Sequence, residues 1–267
     1  SEEERKEYES DICMVCHRGD TEYFIEEYVQ KIGENIKNEK LSNMIRSMLY
    51  DYAELVHSEE FVIYTQAELK VFFEEYFKQI HKVKVNEDLL ECLADELLIP
   101  LNENAYRQAL ADWLIEAGYT NLKLWGNGWI KSPKYKDYAM GPAQNGEVLS
   151  KILQCSKIVI GNNVFATGAA RVWETMLSGT LYISNRPPTE VDAVSIFKLL
   201  KEGEDVVVFH NRKELIEKVQ YYLTHEEERQ QIIDRGREKA LQNRTFDALM
   251  KHVIEFIQNT IEKQEEL

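Results

Sequence analysis

The stretch SKIVIGNNVFATGAARVWETMLSGTLYISN, residues 156–185, decides the fold. It opens on a short β-branched run, SKIVI, and a loop, GNN. A segment of small and apolar residues at helical spacing follows over 168–178, ends at Ser178-Gly179, and passes into a second apolar run, TLYISN at 180–185. Strand, loop, helix and strand in so short a span read as a βαβ unit, whose two strands are parallel.

The same texture extends outward. NLKLWGNG (121–128) reads as a strand entering a glycine turn, EDVVVFHN (204–211) as another strand, and DICMVC (11–16) as a buried strand followed by the turn HRGD. Helical stretches lie between and after them at 145–155, 190–201, 212–223, 225–243 and 246–262. Strands that alternate with helices in this way predict a parallel sheet covered on both faces. Residues 21–117 are different. They carry amphipathic helical patterns over 21–37, 41–57, 66–81, 87–98 and 103–117, with Asn86 and Asn102 as N-caps and Pro100 dividing the last two. The one strand-like run among them is FVIY at 61–64. The expected architecture is α/β: a Rossmann-like parallel sheet flanked by helices, formed by residues 11–20 and 118–262. An all-helical insertion, 21–117, interrupts it after the first strand.

Composition narrows the partners. With 44% hydrophobic and 30% charged residues over 267 positions, the chain reads as folded and able to bury a core. Its 32 basic and 47 acidic residues give a net charge of −15, which excludes a general nucleic-acid or anionic-membrane surface. An anionic small molecule fits only a local pocket that concentrates Arg, Lys or backbone N–H groups. No apolar run approaches the ~20 residues that span a bilayer. The opening SEEERKEYES has no signal-peptide pattern, and four cysteines without a disulfide framework suit a reducing compartment, so a cytoplasmic location is expected. The first residue is not Met, which is compatible with an excised fragment that has lost an upstream partner domain.

Several motifs compete for chemistry. Cys13-Met-Val-Cys16-His17 has the form of a haem-attachment or redox motif. On a strand, however, residues three apart face opposite ways, so two such thiols do not grip one group, and buried strand cysteines are expected. Gly126-Asn-Gly128 follows a strand as a phosphate-binding turn does, but Lys131 stands where the dinucleotide fingerprint needs its third glycine, and a plain turn is an equal reading. In 156–185 an ionisable pair, Arg171 and Glu174, shares one helix face just after the strand-end loop of Asn162, Asn163 and Thr167. One reading is an internal ion pair on a solvated edge. The other has Arg171 facing an anionic group while Glu174 accepts two hydrogen bonds from a sugar diol.

The order KIVIGNN…ARVWETMLSGTLYISNRPP…EGEDVVVFHNRKELIEKVQYYLTHEEERQQIIDRGREKALQNRTF resembles the C-terminal half of GT-B glycosyltransferases, nearest the group-1 type that includes CgeB-like spore-maturation proteins. The carrying blocks are R-x-x-E-x-x-x-x-G before a strand, G-E-[DE] before another, a helix ending in YYL, and an E-E-R…G-R-[ER] helix. The resemblance covers 118–257 together with DICMVC-HRG.

It implies a domain that binds a nucleoside-diphosphate sugar as donor for transfer to an acceptor hydroxyl, with no bound metal and no other cofactor. It places Glu174 at the donor ribose, Arg18 at the diphosphate, Gly126 and Gly128 where backbone approaches the nucleotide, and Asn185 to Glu190 in a loop near the donor. The second glutamate of many retaining members is replaced by Ala166, and the acceptor-binding half has no counterpart in residues 21–117. Turnover by this chain alone is therefore an open expectation. The alternatives are a non-catalytic scaffold that engages a partner or a second copy through helices 21–117, and a sugar-nucleotide epimerase of the same architecture.

Overall fold

Each of the five apolar runs becomes a strand. The computed structural model describes residues 2–58, 62–163, 169–186 and 195–265. After a first helix α1 (Glu2–Tyr8), strand β1 (Ser10–Val15) is followed by α2 (Thr21–Ile36), α3 (Glu39–Ser58), α4 (Gln66–Tyr76) and α5 (Glu87–Glu116). Next come β2 (Leu122–Trp125), β3 (Ala139–Gly141), α6 (Glu147–Gln154), β4 (Ser156–Ile160), α7 (Ala170–Leu177), β5 (Leu181–Asn185) and β6 (Val207–Phe209). The chain closes with α8 (Arg212–Thr224), α9 (Glu226–Asn243) and α10 (Phe246–Glu265).

The strands form one sheet in the order β3-β2-β1-β4-β5-β6, with every pairing parallel. Side chains alternate across it. Ile12, Met14, Ile158 and Ile183 enter the core beneath α5 and α8, whereas Cys13, Val159, Tyr182 and Val208 enter a second core with α6 and α7. Both faces of a βαβ sheet are apolar because helices cover both, so these strands read as continuous apolar runs. This is the Rossmann-like α/β fold expected from the alternation of strands and helices.

Three local expectations are corrected, and one unexpected strand is added. Residues 87–98 and 103–117 are not two helices, because α5 runs unbroken through Pro100. Leu97, Leu98, Leu101 and Asn102 are all buried around the proline, and packing on both sides outweighs its lost hydrogen bond. The run FVIY forms no strand over its described part, 62–64. Its backbone is satisfied by side chains instead: the Ile63 N–H donates to the Tyr52 hydroxyl at 3.0 Å, and the Ile63 carbonyl accepts from the Asn102 amide at 2.6 Å. The predicted helix 190–201 is a single 3-10 turn, Ile196–Lys198, in its described part, and 190–194 lie outside the described residues. Strand β3 has no apolar run to announce it. It is a three-residue edge strand of half-buried and exposed positions, held by Leu124 and Trp125.

Helix α5 positions the rest. It ends at the turn into β2, yet it already meets the loop beyond β1 at Asn104, whose Cα lies 2.3 Å from where a Gly19 Cβ would sit. Its N-terminal half, on the order of 25 Å at ~1.5 Å per residue, therefore projects past the carboxyl edge of the sheet. Helices α2, α3 and α4 pack along α5, and α3 reaches back as far as Trp113, whose indole donates to the His57 carbonyl. These helices and one face of the sheet share a continuous hydrophobic core.

Candidate functional site

The strand order reverses between β1 and β4, so the loops leaving these two strands diverge and open a crevice at the carboxyl edge of the sheet. Ligands of open α/β sheets bind at such a point. The loops concerned are Cys16–Asp20 after β1, Gly161–Asn163 after β4, and Gly126–Gly128 after β2.

The β1 loop is held tightly. Gly126 has φ +136, and a Cβ there would sit 2.1 Å from the Cys16 carbonyl oxygen. Gly128, at φ +93, packs on the Arg18 side chain. Both glycines thus permit a close approach of backbone to the β1 loop. Arg18 N–H donates to the Asn127 carbonyl at 2.9 Å, and the Asn127 N–H donates to His17 Nδ1 at 3.1 Å. The Arg18 guanidinium donates to Asp20 at 2.9 Å and lies 5.5 Å from the centre of the Tyr135 ring.

The β4 loop is pinned by amides. Asn163 N–H donates to Asn185 Oδ1 at 2.8 Å, and Asn185 Nδ2 donates back to the Asn163 carbonyl. Asn163 Nδ2 donates to the Tyr182 hydroxyl at 3.1 Å and to Ser184 Oγ at 3.2 Å. Gly161 makes room for this arrangement, since a Cβ there would lie 2.4 Å from the Tyr182 hydroxyl. Asn163 and Asn185 are both buried and committed to one another, so they position the loop. The Tyr64 hydroxyl, carried on the 62–64 segment, reaches the Asn185 side chain, and burial raises its pKa to about 12.

On α7, Arg171 Nη1 donates to Glu174 at 2.8 Å, with side-chain exposures of 28% and 41%. The ion pair forms, but an exposed i,i+3 pair contributes only about 0.2–0.5 kcal/mol. Stability alone is a weak reason for placing two charges on a helix whose other face is core. Thr167 lies outside the described residues, as do Ala166 and 187–190 of the expected donor loop. The two thiols of the Cys-x-x-Cys run part company: Cys13 enters the core under α7, and Cys16 packs against the core under α5. Burial pushes the Cys16 thiol up to about 11, while Arg107, Asn162 and Arg171 act to lower it.

The structure therefore gathers Arg18, Gly126, Gly128, Asn163 and Arg171 around the switch point, with Asn185 one strand further along. Two residues of the helical segment also bear on these strand ends, Arg107 on the Cys16 thiol and Tyr64 on Asn185. Their sequence signals were faint. Glu103 and Arg107 form an ordinary i,i+4 pair, and Tyr64 ends a run resembling a strand.

Four buried side-chain nitrogens among the described residues have no hydrogen-bond acceptor: Arg18 Nε, Arg107 Nε, Trp125 Nε1 and Arg244 Nε. Arg244 instead lies 4.7 Å from the centre of the Trp173 ring, next to Glu174.

Residues 101–255 match the family described as glycosyl transferase-like. No curated protein matches the chain. Two solved structures of Anabaena Alr3699/HepE are similar, each at 11% identity over 93% of this chain and 99% of that one. One is in complex with UDP-glucose, at a TM-score of 0.42, and the other with UDP and glucose, at 0.41.

Proposed function

Because the chain belongs to the glycosyl transferase-like family, we propose that it binds a nucleoside-diphosphate sugar in the crevice between β1 and β4 and donates the sugar to an acceptor hydroxyl. What supports this reading is that Arg18, on the loop after β1, and Arg171 and Glu174, on the helix after β4, belong to the two connections that leave the switch point of a chain whose net charge is −15. A nucleoside diphosphate needs local cations and a diol acceptor. This acidic chain supplies them where ligands of open α/β sheets dock.

In this reading Glu174 accepts hydrogen bonds from the ribose diol, and Arg171 orients that carboxylate. Arg18 faces the diphosphate, whose negative charge grows as the bond to the anomeric carbon breaks. Residue cations then do the work of stabilising the leaving group. Gly126 and Gly128 shape the floor by holding the β1 loop, and Asn163 and Asn185 fix the loop opposite. We read residues 11–20 and 118–262 as the donor-binding unit of a GT-B enzyme, nearest the CgeB-like type by its ordered blocks, and 21–117 as a helical insertion within it. A cytoplasmic setting accords with the four free thiols.

Calorimetric titration of UDP, GDP and their sugars tests the site. Wild type is expected to bind one of these nucleotides, and Glu174→Ala to weaken it by about tenfold or more, the loss of charge-assisted hydrogen bonds worth ~1.5–3 kcal/mol each. Absence of binding, or an unchanged affinity in Glu174→Ala, overturns the assignment. Nucleotide binding without sugar transfer to any acceptor favours the scaffold alternative, and donor conversion without acceptor favours the epimerase.

A further inference from the structure

We infer that Arg107, on α5, is a second cation of the nucleotide site, which acts with Arg18 to hold a diphosphate at the carboxyl end of β1. This rests on the reading of that site as taking a nucleoside diphosphate. It changes the role of the helical segment, which then supplies a ligand-binding side chain as well as bulk.

The placement is fixed from two sides. Asn104 of α5 lies against Gly19 so closely that a Cβ there would meet its Cα at 2.3 Å. One turn on, Gln108 Oε1 accepts from the Thr21 N–H at 2.8 Å and from the Thr21 hydroxyl. Arg107 lies three residues on from Asn104, and residues three apart share a helix face, so it is carried toward the β1 loop. The Cys16 thiol responds accordingly: after burial, which raises its pKa, the strongest opposing influence is Arg107.

The hydrogen bonding of the two arginines is unfinished in the same way. Arg107 Nη2 donates to Glu103 at 3.0 Å, and Arg18 Nη1 donates to Asp20 at 2.9 Å. Each carboxylate is a close neighbour on the arginine's own segment, and each leaves the buried Nε without an acceptor. A guanidinium offers five donors in a planar fork suited to phosphate oxygens. Polar hydrogens shut away without an acceptor are uncommon in folded proteins. Here one such group belongs to the loop after β1 and the other to the helix that meets that loop, in a protein with a large excess of carboxylates. The proposed diphosphate serves both forks.

The pair Glu103–Arg107 also yields an opposite-signed test. Glu103 competes with the phosphate for Arg107, so neutralising it should tighten binding.

Calorimetry with UDP, GDP, inorganic pyrophosphate and the nucleosides uridine and guanosine, on wild type, Arg107→Gln and Glu103→Gln, decides the matter. Arg107→Gln is expected to weaken the bound nucleoside diphosphate and pyrophosphate by about tenfold or more, leaving nucleoside affinity unchanged. Glu103→Gln is expected to strengthen both by a few-fold, a gain that a merely structural role for Arg107 does not produce. Should Arg107→Gln fail to fold by circular dichroism, the Glu103→Gln arm still decides. An Arg107→Gln protein that binds pyrophosphate like wild type overturns the inference, as does a Glu103→Gln protein with no gain. If Glu174→Ala loses nucleotide while Arg107→Gln does not, only this inference fails. If wild type binds no nucleotide, the functional reading fails with it.

Discussion

At Asn185 one side-chain amide does the work of a strand neighbour. Its Oδ1 and Nδ2 satisfy both the N–H and the C=O of Asn163, which otherwise leave the sheet with no partner at the end of β4. Replacing it by alanine strands two buried backbone groups at ~1–3 kcal/mol each. Asn185→Ala is therefore expected to lower unfolding stability by about 2–4 kcal/mol, read as a reduced urea midpoint at unchanged slope. Loss of less than half a kcal/mol would show that the loop finds other partners. The ionisable pair in α7 illustrates how far single residues were legible. That Arg171 and Glu174 share a helix face follows from their spacing, and the 2.8 Å ion pair bears it out. That Asn163 and Asn185 hold each other does not follow from sequence, because 22 positions separate them and only the β4–β5 pairing brings them together.

Among the elements, α5 departs furthest from its sequence pattern. A proline inside a periodic run is a fair signal for two helices, since it removes one backbone bond and crowds the carbonyl four residues back. The helix continues because apolar positions before and after Pro100 are buried against α3, α4 and the sheet, and local cost yields to tertiary packing. Pro100→Ala restores an N–H for the Glu96 carbonyl and is expected to stabilise the protein by about 1–3 kcal/mol, measured by thermal or urea unfolding. A destabilised variant would mean that a bend at Pro100 is itself required. The 62–64 segment shows the converse. Its apolar, β-branched composition suits a strand, but the Tyr52 hydroxyl and the Asn102 amide, themselves bonded at 2.6 Å, take the backbone groups that a neighbouring strand would take.

For the molecule as a whole, the two cores on either side of the sheet govern access as well as stability. Cys13 is wholly buried, and its thiol is pushed up to about 12, chiefly by burial. Raised pKa and burial both suppress thiolate, the reactive form. At pH 8 a thiol reagent is expected to label exposed Cys92 first and to reach Cys13 only when the chain unfolds, which mass spectrometry of native and denatured samples can check. Rapid native labelling of Cys13 would contradict the packing of β1 against the α7 core. The sequence by itself determined five of the six strands, their parallel direction and the α/β class, because apolar runs, glycine turns and helical periodicity are local consequences of backbone geometry. It also located the β1 and β4 loops and the Arg171–Glu174 pair as candidates. Only the tertiary structure decided the strand order, and with it the crevice between β1 and β4. Only the tertiary structure carried α5, at Asn104, to the loop after the first strand. Strand order and helix docking depend on contacts among residues far apart in the chain, which no local pattern encodes.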